Sequence, residues 1–192
     1  EKAVQQDKNK NNILEEDEVT DAPVKMRFVQ IDRDKTGGIT QAEYEYFANL
    51  FTVGKNLVIA IKPGGKGDCT DTHLLWKVAK FVPFCSSPIV YNDLVFWVKD
   101  GGIASCVDAK TGKPTKQGRL PATDEYYASP VAGDGKVFFL NEDGKLTVVS
   151  ADKNWEVLHS ADFAEPTYAT PALVDGKIYL RTNGHLYCFG KK

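Results

Sequence analysis

Short runs of apolar residues, separated by turns, dominate the chain from residue 57 onward. Leu94–Val98, Val137–Leu140 and Ile178–Leu180 are the clearest of these runs, and an Asp-Gly or Asn-Gly turn follows each of them before a further apolar run. Short apolar runs joined by such turns are typical of β-hairpins and not of amphipathic helices. Residues 57–192 are therefore predicted to be β-strands.

The strand pattern repeats. Pro88, Pro130 and Pro171 each follow a Ser or Thr, and they lie 42 and then 41 residues apart. Such a period, with three or four short strands in each unit, indicates a β-propeller. Leu57–Ile61 and Leu74–Val78 fit the third and fourth strands of an earlier, partial repeat. The prediction is thus two, four, four and three strands in successive repeats, about three blades of four-stranded antiparallel sheet.

One segment resembles a known repeat. Asp108–Lys113, which follows a strand and a glycine turn, is similar to the repeat of pyrroloquinoline-quinone (PQQ) β-propellers, and the resemblance covers residues 57–192. The chain departs from the pattern near Lys116, where a tryptophan is expected. The resemblance implies the fold and leaves two functions open. Some PQQ-repeat propellers are dehydrogenases that bind the quinone with calcium, and others, such as the lipoprotein scaffold of outer-membrane protein assembly, bind partners.

The first part of the chain has a different character. Residues 1–51 are polar, acidic and helix-prone, and Gly54 and Asn56 supply a helix end and a turn. We therefore expect two domains, residues 1–54 and residues 55–192. The expected fold class is mainly β with a small α insert: a partial β-propeller preceded by an EF-hand pair.

Residues 32–43 fit the twelve-residue EF-hand calcium loop. Calcium prefers six to eight oxygen ligands, and Gly37 stands at the sixth position, where the chain bends sharply. Apolar helix positions are expected on both sides of the loop, and they include Met26 and Val29 before it. The predicted calcium ligands are Asp32, Asp34, Thr36, Gly38 through its carbonyl, Thr40 and Glu43.

A second candidate loop lies upstream, at residues 7–18. Asn12 replaces the glycine at its sixth position, and asparagine tolerates positive φ better than most residues. Leu14 and Ile39 occupy the positions that pair in a short β contact between two hands. The predicted ligands are Asp7, Asn9, Asn11, Ile13 through its carbonyl, Glu15 and Glu18. The alternative is a degenerate hand that only supports its neighbour.

The start of the sequence bears on its completeness. An open arc of about three blades leaves unpaired strand edges, because propellers usually close with four to eight blades. Either the chain is the C-terminal part of a longer protein or other chains complete the ring. The start at Glu1, the short segment before Asp7 and the mid-blade beginning favour the first alternative.

Composition excludes several functions. The net charge of -2 gives no bias toward nucleic acid or a membrane surface, and no apolar run is long enough to span a bilayer. Cys106 and Cys188 lie in strand-like runs, which favours buried thiols, and a disulfide that involves Cys69 or Cys85 is an alternative in an exported protein.

The sequence does not single out an active site. His73, His159 and His185 are scattered, and Gly64–Gly67 is not expected to bind phosphate because no helix is predicted after it. Neither catalytic nor quinone-binding residues can be named. Six aromatic residues could line a ligand site but are interpreted as packing within the blades: Tyr126, Tyr127, Tyr168, Trp97, Phe138 and Phe139.

These observations favour one function over two others. The favoured function is an exported, periplasmic or secreted scaffold that binds protein partners, or the missing part of the propeller, and uses Ca²⁺ as a structural brace against the propeller rim. The first alternative is a quinone-dependent dehydrogenase, or another propeller enzyme, whose active site lies largely in absent blades. The second is a calcium sensor that exposes an apolar groove.

Overall fold

The computed structural model describes residues 6–190, apart from the side chains of residues 51–53. Within this range the chain forms two compact units, with the boundary between Lys55 and Asn56. The first unit contains helices α1 (Ala22–Met26), α2 (Phe28–Ile31) and α3 (Gln41–Val53), and strands β1 (Ile13–Glu15) and β2 (Gly38–Thr40). No helix formed by residues 6–190 combines the length and apolar character needed to cross a membrane.

Local sequence explains where the helices of the first unit begin. The Asp21 carboxylate accepts a hydrogen bond from the Val24 backbone N–H at the start of α1, and Pro23 lies in the first turn. Phe28 and Ile31 of α2 are buried in the small core of this unit, together with Leu14 and Ile39. The other two apolar residues before the loop also lie in helices, as predicted, but they are exposed: Met26 is 86% and Val29 79% exposed.

The second unit consists of thirteen strands and one short helix. Strand β3 (Val58–Ile61), helix α4 (Thr70–His73) and strand β4 (Leu74–Val78) come first. The first four-stranded sheet contains β5 (Ile89–Tyr91), β6 (Leu94–Lys99), β7 (Ile103–Asp108) and β8 (Pro114–Arg119). The second contains β9 (Val131–Gly133), β10 (Lys136–Leu140), β11 (Lys145–Ser150) and β12 (Val157–Asp162). The last strands are β13 (Ala172–Val174), β14 (Lys177–Arg181) and β15 (Leu186–Gly190).

Each group of strands forms one antiparallel sheet in chain order. The sheets contain two, four, four and three strands, and all neighbouring strands pair antiparallel. These are the strand numbers predicted from the repeat. The structure is therefore mainly β with four short helices, and its second unit is a partial β-propeller.

The continuous apolar runs of the central strands reflect burial on both faces. Successive side chains of a strand point to opposite faces, so Phe96 and Trp97 lie in different cores. Phe96 packs with Phe139 of the next sheet, whereas Trp97 packs with Val58 of the preceding one. Phe138 packs on the far side of its own sheet, with Leu180. Apolar and polar residues therefore do not alternate along β6 and β10, because each of these strands separates two apolar cores.

The last sheet corrects one prediction about the cysteines. Cys106 is fully buried, as predicted, but Cys188 is exposed. Cys188 pairs with Tyr179 on β14, and no sheet formed by residues 6–190 covers the face of β15 on which it lies. All four cysteines are free thiols in the structure, so the disulfide considered for Cys69 or Cys85 is absent.

The difference between inner and edge strands can be tested with one substitution at two places. Leu140 is completely buried between two sheets, whereas Leu186 on β15 is 72% exposed. We expect Leu140→Ala to lower the free energy of unfolding by about 2–5 kcal/mol, because it leaves a cavity between the sheets. Leu186→Ala should change it by less than about 0.5 kcal/mol. Chemical denaturation measures both, and equal losses would contradict this account of the core.

Candidate metal centre

A two-stranded sheet connects the two candidate loops. Strand β1 pairs antiparallel with β2, and Leu14 stands opposite Ile39, as predicted from the sequence. Both side chains are buried in the core of the first unit. Each loop therefore has its seventh to ninth residues fixed by pairing with the other loop.

The second loop brings three carboxylates together. One ligand atom from each of Asp32, Asp34 and Glu43 lies within 4.8 Å of the other two, so this group could hold a metal ion. Asp32 is buried, and its two carboxylate oxygens accept hydrogen bonds from the backbone N–H groups of Thr36 and Gly37. Three negative charges at such distances repel one another, and a cation between them removes that repulsion.

Glu43 is held in place by the start of helix α3. Its Oε2 atom accepts hydrogen bonds from the Thr40 backbone N–H at 3.0 Å and from the Thr40 hydroxyl at 2.8 Å. Its Oε1 atom accepts further bonds from the backbone N–H groups of Arg33 and Asp34. These bonds lower the pKa of Glu43 to about 2, and those from Thr40 contribute most. The carboxylate is therefore charged at neutral pH.

The first loop repeats this hydrogen-bond pattern, displaced by 25 residues. Glu18 Oε1 accepts bonds from Lys8 N at 2.9 Å and Asn9 N at 3.3 Å, as Glu43 Oε1 does from Arg33 N at 2.8 Å and Asp34 N at 3.3 Å. Asp7 Oδ2 likewise accepts from Asn12 N, as Asp32 Oδ2 does from Gly37 N. Both loops therefore fold around their first and twelfth residues in the same way.

The middle residues of the first loop are also connected. Glu15 accepts hydrogen bonds from the side-chain amides of Asn11 at 2.7 Å and Asn9 at 3.3 Å. The bond from Asn11 is the main reason why the pKa of Glu15 lies below its usual range. The third, fifth and ninth residues of this loop are thus brought together. Ile13 and Gly38, whose carbonyls are the predicted ligands, begin β1 and β2 respectively.

Backbone conformation matches in the two loops. Lys10 and Lys35, at the fourth position, both have φ of 59°, and Asn12 has φ of 66° where Gly37 has φ of 90°. Positive φ is unfavourable for most residues but accessible to glycine and asparagine. Asn12 therefore takes the place of the glycine in the first loop, as the sequence predicted.

One oxygen atom of the first loop lacks a partner. Asp7 Oδ1 is buried and accepts no hydrogen bond from any residue that the structure describes. A buried charged oxygen without a donor is costly, and it is a suitable ligand for a hard cation such as Ca²⁺. The donor set of this loop consists of carboxylate, amide and carbonyl oxygens, and that of the second loop of carboxylate, hydroxyl and carbonyl oxygens; both fit a calcium ion.

Sequence reasoning missed one role of the predicted ligands. Thr40 and Glu43 form a capping box at the start of α3, in which each side chain bonds to the backbone N–H of the other. The spacing Thr-x-x-Glu was visible in the sequence as the signature of this motif. The same two residues thus begin the helix and are predicted to bind the ion.

The histidines and the glycine-rich segment considered as possible sites lie in the second unit, and His73 and His185 have different partners. His185 Nδ1 lies 2.6 Å from Glu165 Oε1, and His73 Nδ1 lies 2.7 Å from the Thr72 hydroxyl. The prediction that no helix follows Gly64–Gly67 is wrong, because α4 begins at Thr70, although it has only four residues. Trp97, Tyr126, Phe138 and Phe139 are buried between sheets as predicted, whereas Tyr127 and Tyr168 are exposed.

The conformation of Asn12 yields a test of the first loop. Asn12→Val places a β-branched side chain at φ of 66°, which should destabilise the first unit by about 1–2 kcal/mol. Asn12→Gly removes any such strain and should leave the stability unchanged or higher. Thermal denaturation followed by circular dichroism measures both variants, and a Val variant as stable as the Gly variant would contradict the assigned backbone conformation.

Comparison with known proteins bears on the fold. No family model and no curated protein matches the chain. Among solved structures, BamB from Moraxella catarrhalis matches with a TM-score of 0.51 and 18% identity over 60% of this chain and 36% of that one. A europium-containing methanol dehydrogenase matches with a TM-score of 0.42, 16% identity and coverage of 56% and 21%. The quinohemoprotein alcohol dehydrogenase ADHIIG from Pseudomonas putida HK5 matches with a TM-score of 0.47, 17% identity and coverage of 68% and 19%.

The chain thus spans little more than a third of the length of BamB. At 18% identity the similarity concerns the fold, and the dehydrogenase similarities are weaker still. The BamB match agrees with the repeat period, the strand numbers and the segment Asp108–Lys113. The fold of the second unit is that of the PQQ-repeat β-propellers.

Proposed function

We propose that this chain binds calcium through a pair of EF-hands, at residues 7–18 and 32–43, and that the propeller unit is a scaffold for protein partners. The observation that supports the calcium part best is the repetition of one hydrogen-bond pattern in both loops, 25 residues apart. A solvated acidic turn has no reason to recur with the same bonds and the same positive-φ positions. The β1–β2 pairing, with Leu14 opposite Ile39, supports a paired arrangement.

The twelve predicted ligands divide equally between the loops. In the second loop, Asp32, Asp34 and Thr36 supply side-chain oxygens, Gly38 supplies a carbonyl, Thr40 occupies the ninth position, which often binds through water, and Glu43 supplies both carboxylate oxygens. In the first loop, Asp7, Asn9, Asn11, Ile13, Glu15 and Glu18 take the corresponding roles. A carboxylate can accept about four hydrogen bonds in all. Glu18 accepts three, which leaves capacity for an ion, whereas Glu43 accepts four, so a bound ion would replace some of them.

Calcium acts in this proposal as a structural brace for the first unit. Helices α1 and α2 have five and four residues, far below the length at which a helix is stable in isolation. A bound ion joins the residues before α3 to the residues inside it, and thereby adds binding free energy to the folded state. With three carboxylates in each loop, we expect dissociation constants of roughly 10⁻⁵ to 10⁻³ M.

The scaffold part of the proposal rests on the fold. PQQ-repeat propellers present turns and linkers at both ends of each sheet, and these segments carry recognition without altering the buried strands. Fold alone does not determine function, so this part depends on finding a partner surface. An exported location, with the scaffold completed by further blades, belongs to the same proposal.

Calcium should raise the thermal stability of the first unit. At a free concentration one hundred times the dissociation constant, one site adds about 2.7 kcal/mol to the free energy of unfolding. Differential scanning calorimetry with calcium, with magnesium and with a chelator measures the shift. Magnesium is the control, because it requires near-octahedral coordination and dehydrates reluctantly. An unchanged melting temperature in calcium would refute the brace.

The two loops can be separated by single substitutions. Glu43→Gln and Glu18→Gln each remove the carboxylate at a twelfth position, so isothermal titration calorimetry should show two calcium sites in the native chain and a weakening of one of them by about tenfold or more in each variant. Glu16→Gln is the matched control, because Glu16 is exposed and is not a predicted ligand. If Glu43→Gln binds calcium like the control, the second loop is not the site. If Glu18→Gln does so, the first loop is a degenerate hand.

A further inference from the structure

The two exposed tyrosines lie at equivalent positions of successive repeats. Ser87, Ser129 and Thr170 each precede the proline of their repeat, and they are joined in a row by hydrogen bonds. The Ser87 backbone N–H donates to the Ser129 hydroxyl, and the Ser129 backbone N–H donates to the Thr170 hydroxyl, both at 3.0 Å. Two residues before each of these lies Cys85, Tyr127 or Tyr168, respectively. The repeat thus places these three residues in one row, at the linkers that lead into β5, β9 and β13.

Two glutamates accompany the tyrosines. The Tyr127 hydroxyl donates a hydrogen bond to Glu125 and the Tyr168 hydroxyl donates one to Glu142, each at 2.6 Å. The two rings lie 5.3 Å apart between centroids, tilted by 57°. Glu125 raises the pKa of Tyr127 to about 12, and Glu142 raises that of Tyr168, so both hydroxyls remain protonated donors at neutral pH.

Backbone hydrogen bonds make this arrangement rigid. The Glu142 N–H donates to the Glu125 carbonyl at 2.9 Å, and the Thr167 N–H donates to the Glu142 carbonyl at 2.8 Å. The turn between β10 and β11 is thereby fixed to both neighbouring linkers. A preorganised surface loses little conformational entropy when it binds a ligand.

The charge of the two glutamates is not balanced within the described residues. Between residues 6 and 190, neither Glu125 nor Glu142 has a Lys, Arg or His nitrogen within 4.0 Å. The neighbouring acids differ, because Asp124 and Asp143 both lie within that distance of Lys145. The surface formed by Tyr127, Tyr168, Glu125 and Glu142, called here the tyrosine–glutamate surface, thus combines exposed aromatic rings with two unpaired negative charges.

We propose that the tyrosine–glutamate surface binds an arginine-bearing segment of a protein partner. Arginine fits this chemistry in two ways: its planar guanidinium stacks on aromatic rings, and its N–H groups donate in pairs to carboxylates. Each glutamate uses one oxygen for a tyrosine, which leaves capacity for further donors. Phe84, which precedes Cys85 and is 78% exposed, extends the apolar character of the row. The inference rests on the scaffold part of the proposed function and names its binding surface.

Lysine suits the surface less well. Its ammonium group is a compact and strongly hydrated charge, without the planar face that stacks on tyrosine or the fork that matches a carboxylate. An anionic partner is excluded by the two negative charges. The surface is therefore expected to distinguish arginine from lysine, and both from a neutral side chain.

The test uses the peptide Gly-Arg-Gly-Arg-Gly-amide with fluorescein on its N-terminal amino group, and the same labelled peptide with lysine or citrulline in place of arginine. Citrulline keeps the shape of arginine without its charge. Fluorescence anisotropy with the full chain at low salt should show binding of the arginine peptide, with at least about tenfold weaker binding of the citrulline peptide. Equal binding of the arginine and citrulline peptides, or no binding of the arginine peptide, would overturn the inference. Tighter binding of the lysine peptide would overturn it too.

Substitutions locate the site. Glu125→Gln combined with Glu142→Gln should weaken arginine-peptide binding by at least about tenfold, and Tyr127→Ala combined with Tyr168→Ala should weaken it as well. Glu156→Gln is the matched control, because Glu156 is exposed and follows β11, whereas Glu142 precedes it. Melting temperatures confirm that each variant is folded. An unchanged affinity in the double glutamate variant would overturn the assignment to this surface.

The outcomes separate this inference from the proposed function. Calcium binding by the first unit is measured by calorimetry on the full chain and does not depend on the peptide result. A protein partner that binds the double glutamate variant as tightly as the native chain would support the scaffold and overturn the tyrosine–glutamate surface. A partner whose affinity falls with that variant, and with arginine substitution in its own sequence, supports both.

Discussion

The propeller unit depends on the burial of both faces of its central strands. Each sheet is too thin to bury its apolar residues alone, so Phe96 and Phe139 form one core while Trp97 and Phe138 face the cores on either side. Burial of such a side chain contributes roughly 1.5–3 kcal/mol, and it is obtained only when the next sheet is present. This requirement explains the repeat itself, since each sheet of the series must supply apolar residues in both directions.

The same requirement explains which features could be predicted from the sequence. Strand numbers and strand positions followed from the spacing of Pro88, Pro130 and Pro171, and the Leu14–Ile39 pairing followed from the alignment of two loops. The exposure of Cys188 could not be predicted, because Cys188 and Cys106 lie in similar apolar runs of their repeats. Exposure depends on whether a sheet covers that face, which is a property of the assembled blades and not of the strand. Met26 and Val29 are exposed for a different reason, since helices of five and four residues cannot bury all their apolar side chains.

The loops show a different limit of prediction. Ligand types and positive-φ positions can be read from the sequence, because they depend on one residue each. The hydrogen bonds by which Glu43 joins Arg33, Asp34 and Thr40 cannot, because they depend on how the twelfth residue folds back over the loop. Those bonds keep the carboxylate charged and hold it near Asp32 and Asp34, so the proposed ion site is partly assembled before any ion binds. The capping box at the start of α3 thus already orders part of the loop, so less conformational entropy is lost when the loop binds a ligand.

Two positions in each linker, two residues apart, have different structural roles. Ser87, Ser129 and Thr170 hold successive blades together by backbone-to-hydroxyl bonds, and those bonds require only a small hydroxyl residue before the proline. Two residues earlier, the side chain points away from the cores, so packing sets no constraint on its identity. Cysteine and tyrosine therefore occupy equivalent positions without a change in the strands that follow. Because the fold does not require tyrosine there, the stability of the blades does not explain the exposed rings and their glutamate partners.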